Sequence, residues 1–428
     1  MNAHRDERDI IFGTAYELIR NRLPRPSLDT PEQAKWDAFK EYLPHVLSLQ
    51  RAYADPLSIV NVKPFLGLAE LFKDGGVLLW QRYIHGDALK LLRSAERVLD
   101  QLPQKDDNLR SEINITINLL LQYFGINYRK EIKERSAKIL EHRASVLKQK
   151  ESGTASDEDK WLLNDARADY ANSLLQFNDY EQAEPIYQEC LDTYMEIGDP
   201  NDSGTAFAIA KLHHHLAYCK MYRRQFDEAL ELGERAVQII EKVSDMAMTM
   251  RYRFDLACIT LQSGRLQVAL DLHQSILKAR LGFQGRASYF TLQSQYAVAA
   301  LCHYLGRLED AEDLMKSALG KAAGRGGRNF WPEAAVTRTK YHLSMVMTER
   351  IKAGDAPEGS GEDAEQRQAE ARKMAIEAKD VLSRLLPYDP DPITGVREED
   401  TLALFDHLQP VFGGRFTSTK LLGYVSKV

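Results

Sequence analysis

The sequence predicts an all-α fold, a right-handed α-solenoid (superhelix) of stacked helical hairpins, and a repeated spacing is the main reason. In each copy a small residue is followed seven positions later by a turn residue, then two further on by an aromatic residue or leucine, and three beyond that by alanine. The final alanines lie 46, 40 and 42 residues apart, which leaves room for two antiparallel helices and a turn in every unit. Such units bury their apolar faces against their neighbours. The four clear copies are Ala171-Asn178-Tyr180-Ala183, Ala217-Arg224-Phe226-Ala229, Ala257-Gly264-Leu266-Ala269 and Ala299-Gly306-Leu308-Ala311.

Three signals predict where helices begin. Thr30-Pro31 followed by Gln33 has the form of a capping box with proline at the first helical position. Ser156 with Asp159 opens a helix in the same way, and Pro332 opens another. The chain is therefore expected to be helical well before the first clear repeat.

The turn position of the repeat predicts a left-handed residue that ends the first helix of each hairpin. Gly264 and Gly306 suit this conformation, because glycine has no Cβ to clash. Asn178 tolerates it, whereas Arg224 is expected to adopt a different turn.

The chain divides into four regions on this pattern. Residues 1–150 form an N-terminal helical region with degenerate repeats, and residues 157–323 hold the clear repeats. Residues 332–386 form a degenerate repeat with an acidic loop insertion at 353–366, which is expected to be exposed and mobile. Residues 387–428 form a C-terminal cap, with a short helix near 399–408, and a tail. The degenerate copies are Gly76-Tyr83-His85-Ala88 and Asn118-Gly125-Asn127-Lys130.

Composition excludes several classes of function. The net charge of −6 argues against a nucleic-acid partner, and no apolar run approaches the roughly 18–20 residues of a membrane span. The charged start has no signal-peptide core, so a cytoplasmic location is expected, with a nuclear one possible. The cysteines stand singly, which indicates small core or groove residues of a reduced compartment and no disulfide framework. They are Cys190, Cys219, Cys258 and Cys302.

The repeat resembles the tetratricopeptide repeat, in the longer-helix form of kinesin light chains, over about Trp161 to Leu319. Upstream, TAYELIRNRLPRP, KWDAFKEYLPHVLSL and ALKLLRSAERVLDQL are similar to the segment that joins the ATPase to the repeats in fungal NOD-like (NB-ARC/tetratricopeptide) receptors. The sequence contains no GxxxxGK[ST] phosphate loop. The resemblance therefore implies a sensor region without its ATPase.

The tetratricopeptide resemblance implies that the first helix of each hairpin lines a concave groove. Groove positions step i, i+3, i+7, i+10 and i+11 along that helix, which is one face. Carried onto this sequence, they give the candidate ligand-binding residues Lys211, His214, Tyr218, Tyr222, Arg251, Phe254, Tyr296, His303, Tyr304, Arg338 and Tyr341.

This surface predicts a non-catalytic scaffold that binds a protein or peptide and needs no cofactor. Aromatic side chains supply contact area, and arginine holds carboxylates. The resemblance to kinesin light chains implies a short extended peptide with aromatic and acidic residues as the partner. Replacing Arg251 and Arg338 with Glu is expected to abolish binding and to leave stability nearly unchanged.

The alternative is a small-molecule-binding protein or enzyme with a pocket enclosed by the repeats. His214 or His303 could serve as a general base in such a pocket, and Cys258 near a histidine is a weak candidate nucleophile. The spacing is not diagnostic, and no catalytic residue is assigned. A sealed cavity around His214, Tyr296 and His303 would favour the enzyme, and an open channel the scaffold.

Two motifs favour ordinary structure over chemistry. The run His213-His214-His215 cannot share one metal ion, because consecutive helical residues point about 100° apart. The segment from Gly320 to Arg328 follows a helix and lacks Ser or Thr after its lysine, so a turn between hairpins is expected.

Overall fold

Every regular element in the described part of the chain is helical. The computed structural model describes residues 3–26, 36–54, 63–82, 84–150, 154–199, 201–323, 331–354, 361–386 and 398–416, and these contain no strand. The prediction of an all-α fold is confirmed. The helices are α1 (Ala3–Arg20), α2 (Trp36–Ala54), α3 (Leu66–Gln81), α4 (His85–Gln101), α5 (Asp107–Leu121), α6 (Arg129–Gln149), α7 (Asp157–Gln176), α8 (Tyr180–Ile197), α9 (Ser203–Tyr222), α10 (Phe226–Val243), α11 (Met246–Gln262), α12 (Leu266–Phe283), α13 (Tyr289–Tyr304), α14 (Leu308–Ala322), α15 (Glu333–Lys352), α16 (Gly361–Leu385) and α17 (Glu398–His407). A 3₁₀ turn (Ile126–Tyr128) precedes α6, and a kinked turn (Val411–Gly414) follows α17.

The chain forms two compact units, Met1–Leu121 and Gln122–Val428. The first contains α1 to α5, in which α3 and α4 pack as a hairpin. The second contains α6 to α17. The sequence-based division came later, at residue 150; α6 packs against α7 and therefore belongs with the clear repeats.

In the second unit, consecutive helices from α6 to α16 pack against each other as a stack of hairpins. The alanines of the four repeats are fully buried, so the helix axes can approach closely where those residues lie. First helices of neighbouring hairpins also touch, α7 with α9, α9 with α11 and α13 with α15, and α11 and α13 both contact the turn at Val411–Gly414. These first helices therefore lie in one layer. These first helices, α7, α9, α11, α13 and α15, are called the inner helices below.

All four hairpin turns of the clear repeats contain a left-handed residue. Asn178, Arg224, Gly264 and Gly306 have φ angles of 63°, 64°, 86° and 74°. The expectation that Arg224 takes a different turn is therefore wrong. Its turn has the same backbone bonds as the glycine turns, including one from the Gln225 N–H to the Lys220 carbonyl at 2.9 Å. The geometry of the hairpin overrides the preference of the residue.

The other sequence signals can be compared with the described helices. Ser156 and Asp159 form the predicted capping box of α7, and Pro332 directly precedes α15. The proposed box at Thr30 lies outside the described residues, as do 324–330 and 417–428.

The acidic insertion is shorter than the predicted loop of 353–366. Residues 361–366 already belong to α16, because the stretch from Ala364 to Gln366 consists of good helix formers. Residues 355–360 are not described. The predicted cap helix near 399–408 is confirmed as α17. No described helix is long and apolar enough to cross a membrane.

Candidate functional site

The inner helices hold a segment of the chain's own C-terminal region. This segment, Gln409–Phe416, is called the tail segment and is buried along its whole length. Its backbone turns at Phe412 and Gly413, whose φ/ψ angles of −89°/127° and 71°/10° are those of a type II turn. Arg415 then returns towards the start of the segment, where its Nε donates to the Gln409 carbonyl at 3.3 Å.

The two phenylalanines of the tail segment contact aromatic rings of the repeats. Phe412 stacks on His215 with ring centroids 4.4 Å apart, and lies 4.8 Å from His214 and 4.9 Å from Tyr218. Phe416 lies 5.5 Å from His273 of α12. Its ring centroid is 6.0 Å from that of Tyr296 on α13. The segment is therefore anchored by one aromatic side chain in its middle and one at its last residue.

A buried carboxylate on α11 binds the backbone of the tail segment. Asp255, which is fully buried, accepts a hydrogen bond from the Gly413 N–H at 2.6 Å. It also accepts one from the Tyr218 hydroxyl at 2.6 Å, and its other oxygen lies 2.9 Å from His214 Nε2. Burial, and then the charge of Asp255, raise the pKa of Tyr218 well above its usual value, so the phenol remains protonated.

A buried arginine on α15 binds the carbonyl of the following residue, Gly414. Arg338 Nη1 donates to the Gly414 carbonyl at 2.9 Å, and Gln293 Nε2 on α13 donates to the same oxygen at 2.8 Å. Arg338 also pairs with Asp406 of α17 at 2.5 Å and lies 4.0 Å above the ring of Tyr296. Asp406 in turn accepts from the Phe416 N–H at 2.6 Å. The guanidinium is thus fully buried but neutralised.

Arg415 of the tail segment is bound by neutral acceptors near α7 and α9. Its guanidinium donates to Asn178 Oδ1, to the Tyr222 hydroxyl at 3.1 Å and to the Gln176 carbonyl at 3.1 Å. Asn178 is the left-handed turn residue of the first clear repeat. The repeat's own turn therefore contributes to the site.

The structure brings five of the sequence-predicted groove residues to the tail segment: His214, Tyr218, Tyr222, Tyr296 and Arg338. The remaining predicted groove residues contact other groups or are partly exposed. Lys211 pairs with Asp169 at 3.2 Å and Asp165 at 3.7 Å, and Phe254 packs against His273 and Arg280. Tyr341 packs on Phe405 of α17, Tyr304 is 40% exposed, and Arg251 is half-buried.

His303 belongs to a separate hydrogen-bonded chain. Its two ring nitrogens lie 3.0 Å from Glu349 and 2.7 Å from His342, whose other nitrogen lies 3.2 Å from the Tyr296 hydroxyl. Burial, with His303 and Arg338 nearby, lowers the pKa of His342 well below its usual value. His342 is therefore neutral and links the chain through hydrogen bonds.

The candidate nucleophile is in an unfavourable environment. Cys258 Sγ lies 4.0 Å from His273 Nε2, but burial raises the pKa of this thiol well above its usual value. Burial also lowers the pKa of His273 to about 3. A neutral thiol beside a weakly basic imidazole does not favour covalent catalysis.

The space around His214 and Tyr296 matches neither the open channel nor the sealed cavity expected from sequence. Phe412 and Phe416 fill the positions next to these two side chains. The chain therefore supplies its own occupant for the predicted groove.

Sequence reasoning missed two carboxylates and one aromatic contact. Asp255 lies between the groove positions assigned to α11, although it is the only acidic residue of that otherwise apolar and basic helix. That isolated charge was the available signal. Asp406 and the stacking of His215 on Phe412 depend on the path of the tail segment, which has no local signature.

Comparison with known proteins supports tetratricopeptide-like repeats. A family model described as tetratricopeptide repeat matches residues 208–282, which lie in α9 to α12. No curated protein matches the chain.

Three solved structures with similar folds, each distant in sequence, illustrate the likeness. A putative kinesin light chain with tetratricopeptide-like repeats from Podosopora anserina is 16% identical, with 50% of this chain and 96% of that chain covered and a TM-score of 0.39. A Rap protein complexed with competence and sporulation factor is 11% identical, with coverages of 89% and 99% and a TM-score of 0.49. A signal-transduction ATPase with a tetratricopeptide repeat sensor from Pyrococcus horikoshii is 14% identical, with coverages of 83% and 55% and a TM-score of 0.44.

Proposed function

We propose that this chain is a non-catalytic scaffold that binds short peptide segments of partner proteins on its inner helices. The observation that supports this is the mode in which those helices already hold the tail segment. The binding surface comprises the side chains that contact the segment, and it is called the inner surface below. Its members are Gln176, Asn178, His214, His215, Tyr218, Tyr222, Asp255, Gln262, His273, Gln293, Tyr296 and Arg338.

The inner surface has the two components that peptide-binding sites share. Asp255, Arg338 and Gln293 bind backbone groups of the segment, which gives affinity for a chain that makes the same turn. The rings around Phe412 and Phe416 bind side chains, which gives specificity. Each aromatic anchor contributes on the order of 1.5–3 kcal/mol through burial alone.

The surface supports the aromatic part of the predicted partner better than the acidic part. Two of the cations that suggested an acidic partner are already neutralised, Arg338 by Asp406 and Lys211 by Asp165 and Asp169. Burial alone would lower the pKa of Lys211, but Asp169 and Asp165 raise it above its usual value. We therefore propose a partner segment with aromatic anchors and no required carboxylate.

A synthetic peptide tests this function directly. The probe is a fluorescent peptide with the sequence of residues 409–416, QPVFGGRF. It is added to the full chain carrying Phe412→Ala and Arg415→Ala, which weaken the tail segment's own hold. We expect saturable binding by fluorescence anisotropy. A peptide in which both phenylalanines are alanine should bind at least tenfold more weakly, because both anchors are lost.

The location of the bound probe is tested by cross-linking. A photoreactive benzophenone side chain at the peptide position of Phe412 should attach to α9, near His214 and Tyr218. Circular dichroism of the variant should show unchanged helical content. Absence of saturable binding by a folded variant, or cross-links only to helices outside the inner set, would contradict the proposed function.

A further inference from the structure

We infer that the tail segment is an internal competitor for the inner surface, and that the partner's segment reproduces its chemistry. This inference rests on the proposed function. The segment chemistry is two aromatic side chains four positions apart, a glycine directly after the first aromatic residue, and an arginine directly before the second. The partner therefore gains access by displacing the tail segment.

The charges of the inner surface keep partners when the tail segment leaves. Asp255 retains the hydroxyl of Tyr218 and the ring of His214, and Arg338 retains Asp406 and Gln293. A buried charge left without a partner would cost several kcal/mol. Because each charge keeps one, exchange of the tail segment for another peptide carries no such penalty.

The position after the first aromatic anchor requires glycine for its backbone. Gly413 has a φ of 71°, a left-handed conformation that other residues rarely adopt. A Cβ at this position would lie 3.7 Å from Phe290 Cε1, which is ordinary contact. Glycine is thus required because of backbone strain and not because of space. The left-handed backbone conformation allows the Gly413 N–H to point at Asp255.

The arginine position selects a donor and disfavours an acid. Arg415 meets the side-chain oxygen of Asn178, the backbone carbonyl of Gln176 and the hydroxyl of Tyr222. Two of these three groups can only accept hydrogen bonds in this arrangement. A carboxylate at the same position would face oxygen lone pairs, which is repulsive, so the partner segment carries a basic side chain here.

Covalent attachment gives the tail segment a strong advantage over a free peptide. Segments joined by a short linker compete at effective concentrations in the millimolar range. In the intact chain, a partner peptide must overcome this local concentration before it binds. Weakening the tail segment should therefore strengthen binding of a peptide in trans, without any change to the inner surface.

The test compares one probe on three full-length proteins. The fluorescent peptide QPVFGGRF is titrated into the unchanged chain, the Phe412→Ala/Arg415→Ala variant and a Gly413→Ala variant. The third removes no side chain and opens the tail segment only through backbone strain. We expect the apparent Kd of the unchanged chain to be at least tenfold higher than that of the Phe412→Ala/Arg415→Ala variant and about fivefold higher than that of the Gly413→Ala variant. A peptide with Arg replaced by Glu should bind the open variants at least tenfold more weakly, and a peptide with alanine at the position of Gly413 about fivefold more weakly.

The outcomes separate this inference from the function on which it rests. Equal affinity of all three proteins for the probe would contradict the inference that the tail segment competes for the inner surface. It would leave the proposed peptide binding intact. Equal binding of the Glu-containing peptide would overturn the proposed partner chemistry. Absence of binding to both folded variants would overturn the proposed function and this inference with it.

Discussion

At the scale of single residues, the inner surface depends on buried charges whose partners are distant in sequence. Asp255 is bound by α9 and by the tail segment, and Arg338 by α13, α17 and the tail segment. The helical register identified Arg338 because it falls on the expected face. The same register did not identify Asp255, because the partners that bind this carboxylate lie on another helix and in the tail segment.

Arg338 should be far more important for stability than an exposed arginine. Its guanidinium is fully buried, so Arg338→Glu would place two carboxylates, the new one and Asp406, together inside the protein. We expect a loss of about 3–5 kcal/mol in the free energy of unfolding, measured by urea denaturation. The burial contradicts the sequence-based expectation that this change leaves stability nearly unaltered.

The matched control is Arg253, which pairs with Glu241 at the surface. Arg253→Glu should cost about 1 kcal/mol or less, because solvent screens exposed pairs. Equal losses for the two variants would show that burial of Arg338 does not decide its role.

At the scale of elements, the hairpin is the part of the fold that the sequence predicts best. The alanines that mark it are fully buried, and the four turn residues share one backbone conformation. These features are local, since each is determined within one pair of neighbouring helices. The start of α16 was harder to predict. A Gly- and Pro-rich stretch, which disfavours helix, is followed within a few residues by good helix formers such as Ala364 and Gln366.

The turn between α9 and α10 should become more stable when Arg224 is replaced by glycine. Arg224 has a φ of 64°, which costs a residue with a Cβ roughly 1–2 kcal/mol relative to its preferred conformations. The higher entropy of glycine in the unfolded chain offsets part of this gain. We expect Arg224→Gly to raise the urea midpoint by an amount equivalent to about 0.5–1 kcal/mol.

The reverse substitution supplies the control for that turn. Gly264 occupies the same position in the next repeat with a φ of 86°, so Gly264→Ala should lower stability by about 1 kcal/mol. A destabilising effect of Arg224→Gly would mean that contacts of the arginine side chain outweigh its backbone strain.

At the scale of the whole second unit, the site is formed by residues far apart in the chain. Asp255 and Gly413, for example, are separated by 158 positions, and Gln176 and Arg415 by 239. The sequence predicted a short helix near 399–408 but not the path that the chain takes after it. Occupation of the groove therefore follows from tertiary packing, for which no local pattern exists.

Buried histidines of the second unit should make its stability depend on pH. Burial lowers the pKa of His215, His342 and His407 well below the usual value, and that of His273 to about 3. Because the unfolded chain then binds more protons, stability is complete above about pH 6.5 and falls as the pH decreases. We expect a loss of about 1 kcal/mol per histidine between pH 7.5 and 5.5, seen as a lower urea midpoint.

A substitution identifies the source of that pH dependence. His273→Phe keeps a ring of similar size and removes one titratable group, so the difference between the two pH values should shrink by about 1 kcal/mol. The lowered pKa of Asp159, about 2, acts only below this range. An identical midpoint at both pH values would contradict the assignment.

The stacking of Phe412 between α9 residues also has a consequence for the order of synthesis. Phe412 is made 194 residues after Tyr218, its contact on α9. At translation rates of about 5–20 residues per second, roughly 10–40 s pass before the ribosome produces it. During that interval the nascent repeats present an uncovered aromatic face, so the newly made chain is most open to a chaperone, or to a partner already at the ribosome, before its own tail segment exists.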